Sequence, residues 1–208
     1  MESVAITLAL LCLESNGKPT QSLWADYAIR SGLLADLSLT GQLIEQERHI
    51  ILTDPIQGPK PHQELALEIL KRPDRSLTDH IKSSKVGLSQ MCEQLLELGH
   101  WRTAAGRWPV LRRRYRATSD DYSRKSVETV LVSLTGTGVQ DPRRAAAAAI
   151  ARAAGLLTGQ FLPVDESLIA ACGVGEWIVR VGVGYIESAR IWHRTVSRAT
   201  VRDLGSPG

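Results

Sequence analysis

The sequence predicts a mainly α-helical protein: a single domain of amphipathic helices with two short β-hairpins. Apolar residues recur at helical spacing along most of the chain. Two stretches, 40–53 and 101–117, break that spacing and carry the turn residues that join short strands. Strands do not alternate regularly with helices, which argues against the parallel sheet of an α/β enzyme. We place the domain at residues 1–204, followed by a disordered tail at 205–208.

The N-terminal segment predicts buried helices. Ser3 is a suitable N-cap for a first helix, and Asn16-Gly17 is a suitable end. The apolar run lasts about ten residues, roughly half of a membrane span, and no basic segment precedes it. We therefore expect a core helix and a cytoplasmic protein, free in the cytosol or peripheral at the membrane. Helical spacing returns over 22–39, where Gly32 predicts a division into two helices.

The middle of the chain predicts two hairpins that flank three helices. Two strands joined by a polar turn are expected within 40–53, and Gly58-Pro59-Lys60-Pro61 is expected to be a loop. Helices follow near 65–70 and from Ser76, and a strongly amphipathic helix covers 84–98 before Gly99. The second hairpin pairs 101–103 with 110–117.

The last part of the chain predicts four further helices. One covers 125–134, and Asp141-Pro142 is a clear start signal for an alanine-rich helix over 143–157. A short helix at 165–172 and a long helix over 175–202 complete the chain.

Composition and motif content favour a binding protein over an enzyme. The 208 residues carry a formal net charge of +3, which is too small to indicate a nucleic-acid or membrane ligand by itself. Cys12, Cys92 and Cys172 are far apart in apolar segments, which predicts three buried thiols rather than disulfides or a zinc site. The five histidines lie in separate elements, and the sequence has neither a nucleophile elbow nor a phosphate-binding loop. We predict no catalytic residues, no metal ligands and no cofactor.

An arginine-rich segment is the most distinctive feature that chemistry could use. Along a strand, Arg112, Arg114 and Arg116 point to one face. Guanidinium groups suit phosphate oxygens, so this basic hairpin face is a candidate site for the phosphates of a lipid or a nucleic acid. The alternative is a solvated strand that nearby acidic residues such as Asp120 and Asp121 neutralise.

The last helix is a second basic surface. Its arginines recur every four residues, which gives one charged stripe, at positions Arg190, Arg194, Arg198 and Arg202. A stripe of this kind is also what the solvent-facing side of a terminal helix looks like.

An ordered series of short motifs carries a resemblance to a known family. The motifs are Ser22-Leu23-Trp24-Ala25-Asp26, Ser31-Gly32-Leu33-Leu34-Ala35-Asp36-Leu37, Glu93-Gln94-Leu95-Leu96-Glu97-Leu98-Gly99-His100-Trp101, Arg107-Trp108-Pro109 and Asp141-Pro142-Arg143. Over residues 4–160 this series resembles the Golgi phosphoprotein 3 family, and in particular its bacterial, actinobacterial-type members. The resemblance implies a compact, mainly α fold without catalysis, in which amphipathic helices and β-hairpins surround a central helical bundle.

The resemblance also implies a ligand. Eukaryotic members bind phosphatidylinositol 4-phosphate at Golgi membranes and bind the cytoplasmic tails of Golgi enzymes. The implied partners here are anionic phospholipid headgroups, protein tails, and a second copy of the chain through the hairpin.

The family's lipid pocket uses a tryptophan and several basic residues. By position, the tryptophan falls on Trp24 and one basic residue falls on Lys85, whereas two basic positions fall on Leu34 and Leu88. Arg30 is the candidate replacement for the charge absent at Leu34. A phosphomonoester needs several charge-assisted hydrogen bonds, so we expect weak binding of phosphatidylinositol 4-phosphate. What we expect to remain is loose binding of anionic lipids as a class.

A nucleic-acid-binding regulator is the alternative function. A helix that ends at Gly99 and continues into an Arg-rich hairpin has the outline of a winged helix-turn-helix. The helix over 84–98, however, carries Lys85 as its single base and also contains Glu93 and Glu97, which is unlike a recognition helix. Nucleic acid is therefore the less favoured partner.

Overall fold

The computed structural model describes residues 3–20, 22–46, 49–53, 56–104, 114–133, 141–157 and 163–203. Within these ranges the helices are α1 (Val4–Leu11), α2 (Leu23–Leu39), α3 (Lys60–Leu70), α4 (Leu77–Ser83), α5 (Leu88–Glu97), α6 (Arg124–Ser133), α7 (Pro142–Ala154), α8 (Glu166–Ala170) and α9 (Glu176–Asp203). The strands are β1 (Leu43–Gln46), β2 (His49–Leu52), β3 (Trp101–Thr103) and β4 (Tyr115–Ala117). The prediction of a mainly helical fold with two short hairpins is confirmed. The predicted tail at 205–208 lies outside the described residues.

Helix α1 is the buried element at the centre of the bundle. Ser3 caps it as predicted, because its hydroxyl oxygen accepts a hydrogen bond from the backbone N–H of Ile6 at 3.0 Å. Nearly all of its residues are buried, which is why the helix is apolar on every side. The predicted end at Asn16-Gly17 is wrong: the helix ends at Leu11, and the chain then doubles back so that Leu13 bridges to Pro19.

Helix α2 runs unbroken from Leu23 to Leu39, so the predicted division at Gly32 is wrong. The glycine serves a close helix crossing instead. A β-carbon at residue 32 would lie 2.7 Å from Cδ1 of Leu8 and 3.1 Å from Cα of Ala5, both in α1. Close packing against α1 therefore explains why a glycine occupies position 32, where its low helix propensity predicted the end of a helix.

Helices α7 and α9 pack against α2 and complete the bundle. Asp141 caps α7 and Pro142 opens it, as predicted, and Gly155 ends it with a positive φ of 68°. The small alanine side chains of α7 are buried and let the neighbouring helices approach closely. Helix α9 runs antiparallel to α2, since Gly175 lies beside Leu39 and Gly182 lies beside Ser31.

Helix α5 begins at Leu88, not at Ser84 as predicted. A carboxylate from another helix sets this start, because Asp26 of α2 accepts a hydrogen bond from the backbone N–H of Leu88 at 2.9 Å. Residues 84–87 form a loop, so Lys85 lies outside the helix. Helix α5 consequently carries no Lys or Arg at all, which removes the basic residue that a recognition helix would use.

Each hairpin places one face against the core. In the second hairpin Trp101 pairs with Ala117, and Arg102 pairs with Arg116. Trp101 and Tyr115 are buried, whereas Arg102, Arg114 and Arg116 are exposed. No helix of the described chain is long and apolar enough to cross a membrane.

Candidate functional site

Five rings form a continuous row where the start of α2 meets α9. The ring centroids of Tyr185 and Tyr27 are 5.1 Å apart, those of Tyr27 and Trp24 are 6.0 Å apart, and those of Trp24 and His193 are 5.4 Å apart. Trp192 continues the row at 5.4 Å from His193. All four contacts are edge-to-face, the geometry that aromatic quadrupoles favour. We call these five residues the aromatic row.

The sequence produces this row through two helical spacings. Trp24 and Tyr27 are three residues apart and therefore lie on the same side of α2. On the antiparallel α9, Tyr185 and His193 are about two turns apart, so they meet Tyr27 and Trp24 respectively. Burial, helped by a hydrogen bond with Tyr27, raises the pKa of Tyr185 to about 12. The row thus runs from the core at Tyr27 to solvent at Trp192.

The outer end of the aromatic row is an exposed apolar patch. Leu23 is 55% exposed, Ile191 is 67% exposed and Trp192 is 63% exposed. We call these three residues the apolar patch. Large apolar side chains scattered singly are normal on a surface, but these three lie within two residues of Trp24 or His193, whose rings are in contact. Exposed clusters of this kind are typical of surfaces that meet a membrane or another protein.

Arg30 is anchored to backbone carbonyls. Its Nε donates to the carbonyl oxygen of Val86 at 2.8 Å, and Nη1 donates to those of Ile81 at 2.9 Å and Lys82 at 3.1 Å. Two of these carbonyls belong to the last turn of α4, where a helix leaves its C=O groups unpaired. The guanidinium thus ties α4 and the 84–87 loop to α2, and only Nη2 is not used in these bonds.

Lys85 stands exposed in that same loop. Its backbone N–H donates to Glu68 Oε1 at 3.2 Å, which fixes the loop against α3. Because Arg30 binds the carbonyl of the next residue, the structure brings Lys85 and Arg30 into one neighbourhood. The ring of Trp24 instead contacts Tyr27 and His193. The three residues predicted to bind lipid are therefore spread along the first half of α2, with Arg30 and Lys85 near α4 and Trp24 facing α9.

Leu34 and Leu88 are core residues. Leu34, in α2, is completely buried, and Leu88, at the start of α5, is also buried. A cation at either position would have to be removed from water, which is costly without a partner. The two positions where the resemblance expects basic residues are therefore built here as packing positions.

The basic hairpin face is partly described. Arg114 and Arg116 are exposed, and Arg102 joins them by pairing with Arg116 across the hairpin. Arg112 lies outside the described residues. Like charges directly opposite each other destabilise a hairpin slightly, so an anionic partner would relieve this pair. Whether the face binds one stays a prediction.

Sequence reasoning missed the apolar patch and His193. The four-residue spacing of the arginines predicted a charged stripe on α9, but two large apolar residues, Ile191-Trp192, lie between its first two arginines. The sequence did contain a signal for this surface: Ile191-Trp192 lies within a series of arginines spaced four residues apart, a combination typical of helices at a membrane interface.

The fold and these surfaces define a mainly helical protein with an aromatic end flanked by cations. The family model described as Golgi phosphoprotein 3 (GPP34) matches residues 5–172. The chain belongs to the Golgi phosphoprotein 3 family, which confirms the resemblance. No curated protein matches the chain. The family match ends before α9, so Tyr185, His193 and Trp192 lie beyond the matched residues.

Proposed function

We propose that this protein is a non-catalytic peripheral adaptor that binds anionic phospholipid surfaces and holds protein tails close to them. The observation that carries the proposal is the apolar patch at the outer end of the aromatic row. Tryptophan rings favour the boundary between headgroups and acyl chains, because the ring is apolar and its N–H is polar. Membership of the Golgi phosphoprotein 3 family supports an adaptor of this type.

Charge supplies the second contribution. The sequence of α9 carries Arg194 and Arg198 after Ile191-Trp192, and Arg202 follows one turn later. Arg190 instead turns toward α7, where its Nη1 donates to the carbonyl oxygen of Ala153 at 3.0 Å. A helix that combines bulky apolar residues with regularly spaced arginines is typical of helices lying in a membrane interface. Lys85 provides a further exposed cation.

The two contributions are of similar size. Complete burial of a large apolar side chain yields about 1.5–3 kcal/mol, so each partly covered residue of the apolar patch gains roughly 1–2 kcal/mol. Each Lys or Arg near an anionic leaflet adds about 1 kcal/mol. Stable peripheral anchoring needs two such signals. We therefore infer binding that requires both the apolar patch and anionic lipid.

The proposal favours anionic lipids as a class over a single phosphoinositide. Three of the five N–H donors of Arg30 already bind carbonyl oxygens, and Leu34 and Leu88 are buried. Few cations remain to enclose one phosphomonoester from several sides. We expect phosphatidylinositol 4-phosphate to bind no more tightly than other lipids of equal charge.

Sedimentation with vesicles tests this function. The full chain is mixed at low salt with phosphatidylcholine vesicles containing phosphatidylserine, and separately with pure phosphatidylcholine vesicles. We expect the protein to sediment with the phosphatidylserine-containing vesicles and not with pure phosphatidylcholine vesicles. Added salt should release the protein from the vesicles because it screens the charges. The variant Ile191→Ser/Trp192→Ser should remain in the supernatant while keeping its helical circular dichroism.

Val174→Ser is the matched control. Val174 is 71% exposed and lies at the other end of α2, where its carbonyl accepts a hydrogen bond from Ser38. This variant removes a comparable exposed apolar side chain and should bind vesicles like the unmodified protein. Folded protein that ignores anionic vesicles at low salt would refute the proposal.

A further inference from the structure

A cleft of about 520 Å³ opens at the far end of α2 from the aromatic row. Its walls come from the first turns of α1, α3 and α7 and from the C-terminal end of α2, which contribute Ser3, His62, Arg143 and Thr40. The side chains of Gln42 and Gln57 also line it. Most residues that line the cleft are therefore polar or charged, and four separate helices contribute to it.

A buried aspartate–histidine pair forms the floor of the cleft. Asp36 Oδ1 accepts a hydrogen bond from the backbone N–H of Val4 at 2.8 Å, and Oδ2 accepts one from that of Ala5 at 3.0 Å. Nε2 of His62 lies 3.1 Å from the same Oδ2. A carboxylate oxygen is an acceptor, so the short contact is a hydrogen bond in which Nε2–H of His62 donates to Asp36. This bond fixes the orientation of the imidazole.

The other ring nitrogen of His62 lacks a partner. Nδ1 is buried and forms no hydrogen bond with any described residue. A buried polar atom without a partner destabilises a fold, so native structures rarely keep one without a reason. His62 itself lines the cleft, so the residue with the unused ring nitrogen borders the space that a ligand would occupy.

Arg143 supplies the charge. It lies in the first turn of α7, where Asp141 accepts hydrogen bonds from the backbone N–H groups of residues 143 and 144. The guanidinium group of Arg143 forms neither an ion pair nor a hydrogen bond with the residues that the structure describes. The N-terminal ends of α1, α3 and α7 add positive partial charge to the same space. Three hydrogen bonds hold the carboxylate of Asp36, and the positive groups that remain for an anion in the cleft are the Arg143 guanidinium and these helix N-terminal ends.

The remaining lining groups suit hydroxyls. Ser3 uses its hydroxyl oxygen to cap α1, which leaves the hydroxyl proton available to a ligand. Gln42 donates to Thr40 Oγ1 at 3.0 Å and accepts from the backbone N–H of Gln57 at 2.6 Å, so its amide is fixed and retains a second N–H donor. Gln57 presents an exposed amide at the rim.

We propose that this cleft binds a small anionic polyol, a phosphate or carboxylate carried next to hydroxyl groups. Arg143 holds the anionic group, and a neighbouring hydroxyl pairs with His62 Nδ1, since a hydroxyl can either donate or accept. The amides and the Ser3 hydroxyl bind the remaining hydroxyls. The site is independent of the surface proposed to meet the membrane, because the two lie at opposite ends of α2.

Titration calorimetry of the full chain tests the proposal. The probes are glycerol 3-phosphate, glycerate, inorganic phosphate and uncharged glycerol, each up to about 10 mM, which covers dissociation constants in the millimolar range. We expect glycerol 3-phosphate and glycerate to bind, glycerol not to bind, and inorganic phosphate to bind more weakly than glycerol 3-phosphate. Absence of binding by both charged polyols would overturn the proposal.

Two arginine variants separate the site from general surface charge. Arg143→Gln should weaken glycerol 3-phosphate binding about tenfold or more, because a charge-assisted pair is lost. Arg144→Gln is the matched control: Arg144 neighbours Arg143 in the same helix, is exposed and does not line the cleft. Equal affinities of the two variants would overturn the assignment.

The source of the anionic polyol is decided by a vesicle arm. Vesicles of phosphatidylglycerol present the same chemistry attached to a lipid. If Arg143→Gln weakens binding to these vesicles, the cleft takes a lipid headgroup. If it weakens binding of the soluble probe alone, the ligand is free in solution. His62→Gln, checked for folding by thermal unfolding, should abolish the preference for glycerol 3-phosphate over inorganic phosphate, and an unchanged preference would contradict the role of Nδ1.

Discussion

Asp36→Ala tests how far one buried carboxylate organises this fold. The substitution leaves three buried donors without their acceptor, the backbone N–H groups of Val4 and Ala5 and Nε2 of His62. A buried donor left unpaired costs about 1–3 kcal/mol, and this substitution leaves several of them unpaired at once. We expect a loss of about 3–5 kcal/mol in the free energy of unfolding.

Urea unfolding followed by circular dichroism measures this loss, and a thermal scan should show a melting temperature lower by roughly 10 °C. Asp26→Ala is the matched control on the same helix. Asp26 also caps a neighbouring helix, but it accepts a single hydrogen bond from the described residues, from the backbone N–H of Leu88, and it is half-buried. It should cost about 1–2 kcal/mol. An Asp36→Ala variant no less stable than Asp26→Ala would refute the reasoning.

Other predictions concern packing, anchoring and the thiols. Gly32→Ala should destabilise the protein by about 1–3 kcal/mol in urea unfolding because its new methyl meets α1, whereas Gly184→Ala, where a β-carbon meets nothing within 4 Å, should stabilise α9 by about 0.5–1 kcal/mol. Equal effects of the two would contradict the close crossing. Arg30→Met should cost about 2 kcal/mol in the same assay by freeing three carbonyls; no change would mean that the guanidinium does not hold α4. The three buried thiols should not react with a thiol reagent at pH 8 in the folded protein and should react after unfolding. Burial raises the pKa of Cys92 to about 12, so little reactive thiolate is present at pH 8. Rapid reaction of the folded protein would disprove the burial of the thiols.

The sequence predicted those features of the fold that local chemistry decides. Ser3 and Asp141-Pro142 mark the starts of α1 and α7 because capping depends on a few adjacent residues. The prediction of three buried thiols is confirmed as well. The wrong boundaries have a common cause. The role of Gly32 and the start of α5 both depend on contacts with other helices, and the residues next to them in sequence do not reveal such contacts.

The candidate sites were harder to predict for the same reason. The resemblance located Trp24, but His193, which its ring contacts, and Tyr185, which contacts Tyr27 in the same row, are more than 150 residues away in sequence. Asp36 and His62 are 26 residues apart and belong to different helices, so their pairing left no motif. Arg143 resembled an ordinary residue of a helix start. Chemistry assembled by several helices becomes visible when the helices are packed.

Hydrogen exchange of the full chain on phosphatidylserine-containing vesicles is the most direct test of the membrane-facing surface. Amides of the C-terminal half of α9 and around Leu23 and Trp24 should exchange more slowly with vesicles present, because docking suppresses local opening of the helix. The hairpin amides at 114–117 should not change. Protection confined to that hairpin, or no protection under conditions where the protein sediments with vesicles, would contradict the claim that the aromatic end of α2 and α9 contacts the membrane.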